Sequence, residues 1–294
     1  MNLKANLTEL KGLIDLELDR QLRYDLDYPP GIREALRYSV LNGGKRLRPI
    51  LAIVTGEMYG VMRDQLIPVA APLEFIQSFT LVHDDLPCMD DALLRRGKPT
   101  LHIAFDEALA VLAGDALLNL AFGAISKEGI KRFSAESVLK VISELSDALG
   151  IDGVLGGQVL DLLPERTSDD LENITKLHQM KTACFFRASL RMGAILAGAP
   201  GCDLEKLTRY SEEFGLAFQI TDDILDVTAS VEELGKDVGH DADLKRVNYI
   251  SVHGLDGARR EARKSVDKAK EAIQELPKTE FLDSLAEYLL ERRK

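Results

Sequence analysis

Tryptophan is absent from this chain of 294 residues, cysteine occurs three times, and aromatic residues make up only 6%. The cysteines, Cys88, Cys184 and Cys202, are scattered and odd in number. That excludes a disulfide framework and any thiolate metal site of ordinary spacing, so free thiols in a reducing, cytoplasmic setting are expected. Excess positive charge is also missing. Lys plus Arg number 37 against 48 Asp plus Glu, a net charge of −11, which leaves no basic footprint for nucleic acid. A membrane-spanning run is lacking too: the longest apolar segment, 108–125, is interrupted by Asp115 and Asn119 and reads as a buried helix. The N-terminal stretch alternates charged and apolar residues and has no signal-peptide core. Period-two, β-branched runs bounded by turns are missing as well, so no sheet is expected.

What is present is helical periodicity. Apolar residues recur at three- and four-residue spacing over 3–22, 32–42, 49–60, 66–85, 103–126, 135–150, 170–198, 203–228 and 256–292. Breaks fall at Tyr28-Pro29-Pro30-Gly31, Asn42-Gly43-Gly44, Gly97-Lys98-Pro99, Gly150 to Gly157, and Ala199-Pro200-Gly201. These connections are short and no shift of composition marks a boundary. A single all-α domain over 1–294, a bundle of about ten helices with antiparallel neighbours, follows.

Two acidic clusters interrupt this pattern. "LVHDDLPCMDD", 81–91, crowds Asp84, Asp85, Asp90 and Asp91 around Pro87; "FQITDDILD", 218–226, holds Asp222, Asp223 and Asp226. In the second, Gln219, Asp222 and Asp226 share a helical face whose surroundings are Ile and Leu. Carboxylates on a largely buried helix are severely destabilising without a cation, and oxygen-only ligands suit Mg²⁺. Two such clusters in one helical domain read as two facing Mg²⁺ half-sites rather than as solvated acidic faces. The first cannot be one regular helical face, because six residues turn an ideal helix by about 240°. Pro87 disfavours helical geometry at Leu86. The helix is therefore expected to end near 86, with the chain turning to bring Asp90 beside Asp84. His83 raises an HD-type phosphohydrolase as a rival, but the other histidines, at 102, 178, 240 and 253, form no matching pattern.

Mg²⁺ held by few carboxylates completes its shell with phosphate and water, so cationic side chains are expected nearby. "NGGKRLRPI" supplies Lys45 and Arg48 beside two glycines, with Pro49 placed for a helix's first turn. "RRGKP" supplies Arg95 and Arg96, able to grip diphosphate bidentately. "HQMKTACFF" puts Lys181 and Thr182 in an apolar helix, and "EELGK" places Lys236 after the second cluster.

Through "GGKRLRP", "HDDLPCMDD", "RRGKPT", "AVLAGDALL", "GGQVLDL", "MKT", "FQITDDILD", "EELGK" and "LAEYLLERRK", residues 30–294 resemble the short-chain trans-isoprenyl diphosphate synthases, the bacterial farnesyl/geranylgeranyl group. The resemblance implies the isoprenoid-synthase fold, helices around a central apolar cavity. It also implies a Mg²⁺-dependent prenyltransferase using about three ions. Asp84 and Asp90, supported by Asp85, would hold two ions; Asp222, assisted by Asp223 and Asp226, a third. Arg95, Lys181, Thr182, Gln219 and Lys236 would contact the allylic diphosphate, and Lys45, Arg48 and Arg96 the diphosphate of isopentenyl diphosphate. The catalytic set so implied is Asp84, Asp90, Arg95, Lys181, Asp222 and Lys236.

Three departures stand out. Gln77 occupies the place of a histidine that binds isopentenyl diphosphate, Ala92 and Leu93 replace further aspartates of the first motif, and Arg246 replaces a lysine. Phe79 lies five residues before Asp84, about 7–8 Å down the helix, a suitable depth for a floor that stops a growing chain, with Thr80 above it. In the resembling family an aromatic there, with the two extra residues in the first motif, points to farnesyl diphosphate; geranylgeranyl diphosphate is the alternative. A class I terpene cyclase would not need Lys45, Arg48 and Arg96. A non-catalytic subunit of a heteromeric prenyl synthase need not keep both clusters. Helix 103–126 is too apolar to face solvent, and in the family its counterpart lies at a homodimer interface. The implied partners are isopentenyl and allylic diphosphates, without nucleic acid or integral membrane contact.

Overall fold

The computed structural model describes residues 2–23, 29–162, 171–228 and 249–292. Lys236 and the segment around Arg246 lie outside the described residues. Helices dominate: α1 (Leu3–Gln21), α2 (Ile32–Leu41), α3 (Leu47–Met58), α4 (Arg63–Ala70) and α5 (Leu73–Asp84) lead to a two-residue ribbon. After the ribbon come α6 (Leu101–Ala104), α7 (Glu107–Gly129), α8 (Ala135–Leu149), α9 (Val154–Leu162) and α10 (Leu171–His178). A π turn (Gln179–Ala183) then joins α10 to α11 (Cys184–Leu196), followed by α12 (Gly201–Thr228), α13 (Tyr249–Ile273) and α14 (Glu280–Glu291).

Local chemistry sets several boundaries. Asn2, Asp106 and Ser134 cap α1, α7 and α8 by accepting the N–H of Ala5, Leu109 and Ser137 at 3.2, 2.7 and 3.1 Å. The expected helix 66–85 is divided at Ala71-Pro72, because Pro72 brings no N–H to continue the ladder. The expected 256–292 helix is likewise two, parted around Pro277 and Lys278, the latter in left-handed backbone. The glycine-rich stretch after 150, read as a connection, instead turns into α9 at Val154. A small ribbon also forms where no sheet was expected. Leu94–Arg95 (β1) pairs antiparallel with Lys98–Pro99 (β2) around Arg96-Gly97, both at positive φ as a tight hairpin turn requires.

One continuous core joins α1–α9 and α11–α14, with Phe75, Phe185, Phe186 and Phe214 among its largest buried side chains. Bare backbone lets central helices touch. A Cβ on Gly193 of α11 would lie 2.0 Å from the Ala52 carbonyl of α3, and one on Gly157 of α9 would lie 2.5 Å from the Lys181 nitrogen. Arg46, 2% exposed and in left-handed backbone, ties α1, α2 and α5 together. It donates to Asp15 at 2.7 Å, Glu74 at 2.8 Å and the Val40 carbonyl at 2.7 Å.

Two stretches are long and apolar enough to cross a membrane by length and composition alone. Arg63–Asp84 is 72% buried, as a core helix should be. Helix α7, expected to be buried, is only 33% so, and it presents Val111 and Leu112 outward.

Candidate active site

Helix α5 ends at Asp84, and the chain doubles back at once. The Asp90 N–H donates to the Asp84 carbonyl at 2.9 Å, and the N–H groups of Met89 and Asp91 both donate to the Leu86 carbonyl, at 2.9 and 3.1 Å. Pro87 and Cys88 form the exposed rim of this turn, so two aspartates six apart in sequence arrive side by side. Burial, with Asp90 adding to it, pushes the Asp84 carboxyl up to about 6 despite the attraction of Lys181 and Arg95. Asp85 points elsewhere. It is 3% exposed and accepts the Arg95 Nε–H at 3.1 and 3.2 Å, plus a further bond from Nη2. Burial raises its carboxyl too, opposed by that guanidinium.

The hairpin turn sends its two arginines apart. Arg95 reaches Asp85, while Arg96 turns to the Gly43 carbonyl. Gly44, at φ +116°, holds a backbone conformation that disfavours any side chain, and its bare Cα leaves room for the Arg96 guanidinium, 2.7 Å from where a Cβ would stand. Lys45 is exposed on the same loop. Arg48 lies over the rings of Phe185 and Phe186 at 4.6 and 4.7 Å, and its Nε has no hydrogen-bond partner. Burial lowers its guanidinium to about 10, a cation held in apolar surroundings.

Between the acidic clusters sits the π turn. Lys181 donates to Asp161 of α9 at 2.6 Å and also lies in the field of Asp84. Its neighbour Thr182 donates to Gln219 of α12 at 3.4 Å, and Gln219 donates to Asp223 at 3.3 Å. Asp223, 4% exposed, also accepts the Tyr249 N–H at 3.1 Å. Asp222 is bonded at 2.6 Å by Arg292, which lies just beyond α14. The same Arg292 nitrogen donates to Thr221 at 2.6 Å and the Phe218 carbonyl at 2.7 Å. Asp226 lies half-buried one turn further along α12.

A cavity of about 230 Å³ opens beneath Asp84. Arg48, Gln77, Gln158, Lys181 and Thr182 supply its polar lining; Phe79, Leu81, Met89, Val154, Leu155 and Phe185 supply the apolar part, with Thr80 and His83 on the same wall. The Gln77 side-chain oxygen and both amide atoms of the buried Gln158 are unbonded. Sequence reasoning named neither Asp161 nor Gln158. The signal was available: both lie in "GGQVLDL", with glycines whose bare backbone lets α9 press on the π turn.

The donor set fits Mg²⁺. Asp84 and Asp90 offer oxygen only, and the raised Asp84 carboxyl shows a buried charge that lacks full compensation. Among the described residues no group of three or more His, Cys, Asp or Glu is already gathered around one metal position. Asp85 and Asp223 are engaged by protein donors.

Asp84 and three cations or amides, Arg48, Lys181 and Gln77, line one cavity within an all-helical bundle, and a second acidic cluster on α12 joins it through Thr182 and Gln219. The chain belongs to the polyprenyl synthetase family, whose model matches residues 29–287. It is 44% identical over 266 residues to the farnesyl diphosphate synthase of Escherichia coli (strain K12), covering 89% of each chain. It is 40% identical to the geranylgeranyl diphosphate synthase of Cyanophora paradoxa, covering 92% of this chain and 90% of that one. Its fold superposes with a TM-score of 0.84 on the geranyltransferase of Helicobacter pylori complexed with magnesium and isoprenyl diphosphate, at 31% identity over 99% of this chain and 97% of that one.

Proposed function

We propose that the chain works as one polyprenyl synthase domain over 1–294, a trans-prenyltransferase that condenses isopentenyl diphosphate with dimethylallyl and geranyl diphosphates to make farnesyl diphosphate. The observation that carries this is a cavity lined by Asp84, Lys181 and Phe79, with Asp90 in the field of Asp84; Phe79 is taken as its floor. Asp84 and Asp90 would hold Mg²⁺ on one side and Asp222, with Asp226, on the other; Asp85 and Asp223 orient the basic and amide groups bonded to them. When bound, Mg²⁺ draws charge from the departing diphosphate. Lys181, Arg95, Thr182 and Gln219 steady the same leaving group, with Lys236 assigned there by its place in the sequence. Arg48, Arg96, Lys45 and Gln77 hold the second diphosphate, and Arg48 gains there the anion its Nε now lacks. The allylic C–O bond breaks, the isopentenyl double bond attacks the freed carbon, and a proton leaves to the released diphosphate. Phe79, Leu81, Val154 and Phe185 keep water from the cation.

The same reading gives a cytoplasmic homodimer, supported by the outward apolar residues of α7. The geranylgeranyl relative keeps the C20 product as the second reading. One assay tests all of this: the purified chain with Mg²⁺, labelled isopentenyl diphosphate and each allylic starter, the dephosphorylated products then being sized. A dominant C15 product is expected; C20 would move the floor deeper than Phe79, and no condensation would overturn the assignment.

A further inference from the structure

We propose that His83 and Gly114 fix the depth of the cavity by holding Phe79, making the contact between α5 and α7 a determinant of product length. The inference rests on the reading of Phe79 as the floor. Phe79 and His83 stand one turn apart on α5, line the same cavity, and meet edge to face, with ring centroids 5.0 Å apart at 73°. On its far side the imidazole is seated against α7. His83 Nε2 lies 3.1 Å from the Val111 carbonyl, which accepts its N–H.

That seat exists because residue 114 has no side chain. A Cβ there would lie 2.1 Å from Nε2, 2.4 Å from Cδ2 and 2.9 Å from Cε1 of His83. Gly114 has no left-handed backbone to explain it and sits inside a long helix, where glycine is a poor helix former. The space taken by the imidazole is the reason for the glycine. The ring is thus a spacer, seated on bare α7 backbone and bracing the phenyl group one turn before it against the cavity.

The two sides of the spacer respond in opposite directions. Gly114→Ala puts a methyl in the ring's place and drives the imidazole away from α7 and toward Phe79, which is pressed into the cavity. His83→Ala removes the brace and lets Phe79 swing out of the cavity toward α7. Combining them leaves the methyl nothing to displace, so the double variant follows His83→Ala. Loss of stability by itself would not reverse the sign between neighbours.

The full chain and its Phe79→Ala, Gly114→Ala, His83→Ala and double variants are incubated with Mg²⁺, dimethylallyl diphosphate and labelled isopentenyl diphosphate, and the products are sized. Gly114→Ala is expected to lower the ratio of C15 to C10 product about tenfold, the low end for a methylene-sized change in an apolar pocket. His83→Ala and the double variant are expected to raise the share of products beyond C15. An unchanged pattern in Gly114→Ala, or a double variant that stays short, overturns the proposal. If Gly114→Ala does not fold, His83→Ala decides alone: longer products support the spacer, an unchanged pattern removes it. A shift in Phe79→Ala without one in the other two sinks this inference only; no shift in Phe79→Ala removes the floor as well.

Discussion

The two acidic clusters share a pair of adjacent aspartates, yet they sit in opposite electrostatic states. At the end of α5, Asp84 is buried near Asp90 and its carboxyl is lifted to about 6. On α12, Asp222 already accepts a bond from Arg292, and Asp223 accepts two, from Gln219 and the Tyr249 backbone. In the first cluster Asp85 is met by Arg95 while Asp84 keeps an unmet demand for positive charge; in the second both adjacent aspartates are met by the protein's own donors. One fold has therefore placed its electrostatic cost on one side. A turn six residues long can hold only a few donors, whereas α12 packs against both α13 and the C-terminal arginine.

The largest expected effect would break the comparison outright. Asp84→Ala and Asp222→Ala should each cut kcat by about 10²–10³-fold or more, the loss typical of removing one group that stabilises transition-state charge. Near-normal turnover in either variant would remove that residue from the proposed metal set. Stability should then divide the two clusters. A carboxyl with a folded value near 6 and an unfolded one of 3.8 favours the folded state when protonated, so its penalty is absent below pH 3.8 and complete above 6. Asp84→Asn should accordingly stabilise the Mg²⁺-free protein at pH 7.5 by up to about 3 kcal/mol. That gain should fade toward pH 4, as read from thermal midpoints.

Arg292→Ala should act the other way, costing about 1–3 kcal/mol because three acceptors lose one donor. Equal midpoints for Asp84→Asn and Arg292→Ala would erase the proposed asymmetry. The smallest effect is in the pH profile. Activity at limiting Mg²⁺ should fall as pH drops through about 6, where the carboxyl of Asp84 in the metal-free protein takes up a proton in competition with the ion. Asp85→Asn, which leaves Asp84 in place, should keep that inflection.

The all-helical class was legible because 3.6-residue periodicity runs through nearly every segment. The turn that closes Asp90 onto Asp84 was legible from Pro87 and helical geometry. Other features depend on partners distant in sequence. Arg292 and Asp222 are 70 residues apart, and Lys181 and Asp161 are 20 apart, so no local pattern announces either bond. Helix α9 was hidden by its glycines, which local propensity reads as breaks but which here permit close packing. The seat of His83 was hidden too, since a glycine's function lies in what occupies its missing side chain.

Residues 179–183 carry one further consequence. A π turn holds one residue more than the α-helix around it, so the rod from Leu171 to Leu196 behaves as a ruler with one mark too many. Removing a single residue there would restore an ordinary helix. The flanks would keep nearly the same facing, but the widened turn would close, and Lys181 could no longer meet both Asp161 and Asp84 while Thr182 reaches Gln219. The extra residue is what lets one helix hand neighbouring side chains to two different partners, Lys181 to α9 and Thr182 to α12, and a chain trimmed to helical regularity would have to give up one of them.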